Sequence, residues 1–173
     1  MKPSFFFLSL FTLLTACKSD NTSTLQFKAI DFSYFDISPE AFSLRVTRRD
    51  SVFVIQYFSS EGQLKDSITY FSFLKGDIKQ KFDSLIAVID FSKLDTVYET
   101  GHIDGDEYRL YFEGHTITKQ LYVHSMRPPK ELEYLKNLFL QMKRRLSFVP
   151  VDTTIYFRAN PPEPPPNKGD SSR

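Results

Sequence analysis

The chain has 173 residues with 22 basic and 21 acidic side chains, for a net charge of +1. That balance excludes the basic footprint of a nucleic-acid binder, and the length suits one domain. Its 18 Phe and 9 Tyr, with no Trp and one Cys, exclude a disulfide scaffold and point to a sheet-rich body held together by packing.

Taken in order, Lys2 gives a short positive start, and Phe5 to Leu14 is an apolar run too short to span a bilayer. Small residues follow and lead to Cys17, the pattern of a processed export signal. Leu14-Thr15-Ala16-Cys17 resembles the lipobox of bacterial lipoproteins. The resemblance implies cleavage before Cys17, with palmitate-like acyl chains on its thiol and on the new amine. Each buried methylene contributes about 0.8 kcal/mol, so several chains hold a protein on a membrane. Cys17 is the only cysteine, and acylation would remove a lone reactive thiol from an oxidising compartment. In lipoproteins resembling this one, an aspartate after the cysteine favours the inner membrane. Lys18 stands there instead, which favours the outer membrane and leaves open whether the body faces the periplasm or the outside. The competing reading is an ordinary secretory signal with Cys17 near its cleavage site. Loss of residues 1–16 removes Lys2 and leaves 21 basic against 21 acidic groups.

Residues 17–24 are small and polar, a tether. A single domain is expected over 25–158. Leu25, Phe27 and Ala29 alternate, then the phase shifts to Ile30, Phe32 and Tyr34, the mark of a strand with a bulge. Phe42, Leu44 and Val46 alternate with Ser43, Arg45 and Thr47, predicting one buried and one wet face. Arg49-Asp50 makes a turn, Val52 to Phe58 is apolar on both faces, and Ser67 to Leu74 is another aromatic strand. Asp77 with Gln80 suggests a capping box for an amphipathic helix over 77–90, with Ile78, Phe82, Leu85, Ile86 and Ile89 on one side.

Thr96 to Thr100, Glu107 to Glu113 and Thr116 to His124 read as strands, the last two joined at Gly114. After Pro128-Pro129 comes a longer helix whose stripe is Leu132, Leu135, Phe139, Met142 and Leu146. Thr153 to Phe157 reads as a further edge strand, and 159–173 as a Pro-rich tail that does not fold. The two halves, each a hairpin followed by a helix, suggest an internal duplication.

The fold expected is α+β, an antiparallel sheet with two amphipathic helices packed on one face. The body also resembles small lipoprotein domains of unknown function, in layout only. For chemistry, His102, Asp104 and Asp106 form an oxygen-rich loop that is a weak candidate for a cation, against the plainer reading of an Asp-Gly turn. His115 and His124 lack the spacing of a zinc site. No Gly-x-Ser-x-Gly elbow or phosphate-cradling loop is present, so no catalytic residue and no cofactor is expected. Phe53, Tyr57, Phe71 and Phe73 are candidates for an aromatic docking surface, unless strand 25–36 or segment 148–157 folds over them.

These readings converge on a non-catalytic, lipid-anchored envelope protein that contacts the membrane through Cys17 and another envelope protein through its sheet face or tail. The alternative is a ligand-binding module with an apolar groove or a cation at 102–107.

Overall fold

A computed structural model describes residues 27–35, 41–57, 68–100 and 107–159, with Tyr57 described in its backbone alone. These residues form β1 (Phe27–Phe35), β2 (Ala41–Thr47), β3 (Ser51–Tyr57), β4 (Thr69–Phe73), α1 (Gly76–Val88), β5 (Val97–Glu99), β6 (Glu107–Gly114), β7 (Thr118–His124), α2 (Lys130–Arg145) and β8 (Val149–Val151). The fold is α+β. Its eight strands make one sheet in the order β5-β7-β6-β1-β2-β3-β4-β8. The first strand in sequence therefore lies inside the sheet, pairing β2 on one side and β6 on the other.

All pairings are antiparallel except that of β5 with β7. The exception follows from connectivity. Glu99, the last residue of β5, and Glu107, the first of β6, both lie opposite or beside His124, at the same end of the sheet. Since β7 runs antiparallel to β6 and β5 sits on its far side, β5 must run parallel to β7.

Register decides what each face carries, because side chains alternate along a strand. One rung runs Leu121, Leu110, Phe32, Leu44, Val54, Tyr70 across β7, β6, β1, β2, β3 and β4. We call this the Phe32 face. The register irregularity between Phe27 and Ala29 changes the phase, so that Phe27 and Ile30 both reach the core.

Phe139 of α2 stacks on Phe32 with ring centroids 4.7 Å apart, and Phe82 of α1 meets Phe27 at 5.7 Å and Phe139 at 6.2 Å. The expected α2 stripe, Leu132, Leu135, Phe139, Met142 and Leu146, is buried throughout. Phe91, just past α1, stacks on Phe112 of β6 at 3.9 Å.

Two local expectations are corrected. No capping box starts α1: Lys75 holds the N-cap position without a side-chain cap, and Gly76 follows at φ 62°, a left-handed conformation that glycine adopts at no steric cost. Asp77 instead accepts from both terminal nitrogens of Arg145 at the end of α2, at 3.0 and 3.2 Å. A carboxylate in a first helical turn and a guanidinium in a last one each suit their own helix dipole. Nor is Thr153 to Phe157 the edge strand. That position belongs to β8, where Pro150 is tolerated because an edge residue needs no second ladder partner.

Candidate functional site

The opposite side of the sheet has a different chemistry. Its matching rung runs Gln120, Tyr111, Asp31, Arg45, Phe53, Phe71, Val149. The next runs Tyr122, Arg109, Ser33, Ser43, Ile55, Thr69, Val151. This Asp31 face is polar over β6, β1 and β2, and aromatic over β3 and β4.

The polar half is covered by the chain's own residues 152–159. Between β8 and β1 lie four strand spacings, about 19 Å at roughly 4.8 Å each. Seven residue steps lead from Val151 to Arg158, an extended reach of about 23 Å. The segment must therefore cross the strands almost straight. Its burial alternates accordingly: Ile155, Phe157 and Ala159 turn inward while Tyr156 and Arg158 are exposed.

Its attachment points are specific. Arg45 donates from Nε and Nη2 to the two oxygens of Asp31, both at 2.6 Å, and the backbone N–H of Arg158 donates to Asp31 Oδ2 at 2.5 Å. Asp31 is 0% exposed, and a carboxylate so withdrawn from water is stable because three donors meet it. Ser33 Oγ donates to the carbonyl of Ala159 at 2.6 Å. Having one proton, Ser33 must then accept from Ser43 in their 2.5 Å contact. The Arg45 guanidinium also lies 5.7 Å from the centre of the Phe157 ring.

The Arg158 side chain reaches outward to Tyr111 Oη and Glu113 Oε2, each at 2.9 Å, and lies over the Tyr111 ring. The Tyr111 hydrogen bond, followed by the charge of Glu113, holds its guanidinium pKa above the ordinary value. On the neighbouring rung burial, reinforced by Glu107 and Glu99, raises the Tyr122 hydroxyl.

Beside the covered half the aromatic candidates do come together. Phe53 and Phe71 are 5.2 Å apart, and Phe71 meets Phe73 edge to face at 4.7 Å. Phe53 and Phe71 are half-buried and Phe73 is 56% exposed. Tyr57 ends β3, and its side chain lies outside the described residues, as do Cys17, His102, Asp104 and Asp106. Among the described residues, no three His, Cys, Asp or Glu side chains cluster as a metal site, and no helix is long and apolar enough to cross a membrane. His115 is exposed at a turn, while His124 pairs with Glu107 in the ladder.

Two open hollows lie on the surface of the described residues. One, of about 640 Å³, lies between α1 and α2 and is lined by Gln80, Ser84, Leu85, Tyr134 and Asn137 among others. The other, of about 530 Å³, lies beside β5 and is lined by Thr96, Val97, Arg109, Gln120 and Tyr122 with Leu121.

Sequence reasoning missed Asp31, Ser33, Ser43, Arg45, Arg158 and Ala159 as a unit. Ser43 and Arg45 have the alternation of a wet face, and nothing local to them signals that a segment over a hundred residues later will cover them. The alternation of Ile155, Phe157 and Ala159 was the available signal. Comparison of the chain with protein families, curated proteins and solved structures returned no match.

Proposed function

We propose that this chain is a lipid-anchored accessory protein of the bacterial envelope, held to the outer membrane by an acylated Cys17 and docking another envelope protein on its Asp31 face. In this reading both helices lie across the Phe32 face, leaving the opposite side for recognition. The observation that carries it is the segment 152–159. It seals the polar half of that face and leaves Phe53 and Phe71 half-buried beside it. The buried ionic group, Asp31, is bound by Arg45 and a backbone N–H, an arrangement suited to holding chain together. Extended, aromatic-lined sheet surfaces and Pro-rich segments are both recurring modes of protein recognition.

The test is a photo-crosslinker at position 71 in native envelopes. One discrete adduct is expected, lost when Cys17→Ala prevents anchoring and weakened by deletion of residues 160–173. Absence of any adduct at 71, with the protein folded and acylated, sinks the docking reading. Retention of an ordinary cleaved terminus at residue 17, read by intact mass, sinks the anchor.

A second reading is a ligand-binding module. The hollow between α1 and α2 supports it, since its amide and hydroxyl groups beside Tyr134 offer polar contacts and an aromatic wall. A small molecule released by Tyr134→Ala in native mass spectrometry would favour it.

A further inference from the structure

The entry to β1, the β2–β3 hairpin, the β4–α1 connection and the β6–β7 turn are among the segments that meet at one end of the sheet. Phe27 pairs with Gly114, and the N–H of Arg48 donates to the carbonyl of Lys28 at 3.0 Å. The hairpin between β2 and β3 closes there. Asp50 N–H donates to Thr47 O at 3.0 Å, and Asp50 itself takes φ 60°. That turn puts Arg48 and Arg49 at its two central positions, both exposed. Leu74 N–H donates to Asp50 O at 2.7 Å, which brings exposed Lys75 to the same end.

The carboxylate of this tip already has a lysine partner, which it shares with Asp83. Lys79 binds Asp50 at 2.8 Å and Asp83 at 2.9 Å. Among the described residues Arg48, Arg49 and Lys75 make no ion pair. Lys28 is 3.8 Å from Glu113, which Arg158 holds more closely at 2.9 Å. Two apolar side chains flank these cations, Phe73 and Ile117, the latter 37% exposed in the turn between β6 and β7. The described strand ends on the opposite side carry Glu99 and Glu107 instead.

We propose that this end, with Lys28, Arg48, Arg49 and Lys75 around Phe73 and Ile117, seats on a bilayer surface of anionic phospholipid headgroups. The inference rests on the lipid-anchored reading for its orientation. Ten residue steps lead from Cys17 to Phe27, a reach of at most about 36 Å. The tether from an acylated Cys17 thus enters the domain at this end, rather than at the Glu99 and Glu107 end, which favours this end toward the membrane. Cations close to an anionic leaflet each strengthen partitioning about fivefold, and a partly exposed phenylalanine adds an apolar foothold.

The experiment uses the exported Cys17→Ala chain, so that acylation plays no part in the readout. Sedimentation with phosphatidylglycerol vesicles is compared with phosphatidylcholine vesicles. Preferential binding to the former is expected, falling about 25-fold in R48A/R49A, reversed by salt, and unchanged in Arg127→Ala, a cation placed elsewhere. Because the chain has no Trp, Phe73→Trp supplies a unique fluorophore whose emission should shift to the blue on those vesicles and be quenched by brominated lipid. The proposal is overturned by equal binding to both vesicles, by binding that survives R48A/R49A in a variant melting like its parent, or by an emission from Phe73→Trp that does not shift. Equal retention on polyglutamate also overturns it, assigning the patch to polyanions in general. Vesicle binding by this chain together with an unacylated Cys17 in cells would keep the surface and remove the anchor, so the two failures are distinguishable.

Discussion

The two faces of the sheet reach burial by opposite routes. On the Phe32 face a rung of Leu121, Leu110, Phe32, Leu44, Val54 and Tyr70 is apolar, and what touches it is apolar, as Phe139 on Phe32 shows. On the Asp31 face the same strands offer Tyr111, Asp31 and Arg45, and what covers them is an extended segment fixed by its own backbone N–H and C=O. The first face tolerates many partners of suitable volume, since dispersion and area removal are non-directional. The second accepts a segment only in one position, since each hydrogen bond has a required donor and acceptor.

The comparison breaks most visibly at Phe32 and Phe139. Truncating either to Ala should cost about 3–5 kcal/mol through lost transfer energy and a cavity, measured as a lower urea midpoint with unchanged slope. A loss under about 1 kcal/mol would mean that the Phe32 face is not the principal core.

Next in size is Asp31→Ala, which leaves the partly buried Arg45 guanidinium without its carboxylate at a cost of about 3 kcal/mol. Replacing both, as in Asp31→Leu with Arg45→Leu, should recover most of that stability, because the pair's own desolvation penalty disappears with it. A double variant as weak as the single one would assign the loss to the detached segment rather than to the orphaned charge.

A smaller effect is expected from Phe157→Ala, about 2 kcal/mol, since it can cost no more than detaching segment 152–159 altogether. It should raise binding of a hydrophobic dye and speed amide exchange at Arg158 while leaving amides within β1 protected. Uniform acceleration would show that the segment and the core open together.

The smallest effect concerns acid. The Arg145 hydrogen bond holds the Asp77 carboxyl below its ordinary value against the opposing effect of desolvation, with the Arg145 charge and Lys81 contributing. A carboxyl with a lower folded than unfolded pKa contributes stability above the unfolded value, about 3.9, and loses it as pH falls through the folded value. Asp77→Asn should therefore lower the melting temperature slightly at neutrality, change little where the carboxyl is already protonated, and so flatten the decline below about pH 4. An undiminished decline would place the acid sensitivity elsewhere.

Much of this architecture was legible from period alone. The β1 phase shift, the alternation of Phe42, Leu44 and Val46, and the α2 stripe are local patterns, and each matches an element found. What local pattern could not supply was pairing. The parallel position of β5 depends on where β6 and β7 lie, and the Asp31 cluster depends on a segment 127 residues away from it. Asp77 illustrates the same limit within one side chain: its local sequence suits a cap, but a guanidinium 68 residues later binds it. Of the site, Phe53, Phe71 and Phe73 were found because aromatic surplus is visible in composition, whereas Ser33 and Asp31 carry no signal until covered.

Sequence position gives the crossing segment one more consequence, for the order of assembly. Strands β1 to β7 and both helices precede residues 152–159 in the chain, so a polypeptide emerging from its N-terminus completes the sheet's ladder before its cover arrives. In that interval Asp31, Ser33, Ser43 and Arg45 face water, where they are well hydrated. An apolar surface in their place would adhere to neighbouring chains during the wait. The polar half of the sheet thus guards the unfinished domain, and the same groups become its clasp when the last residues close.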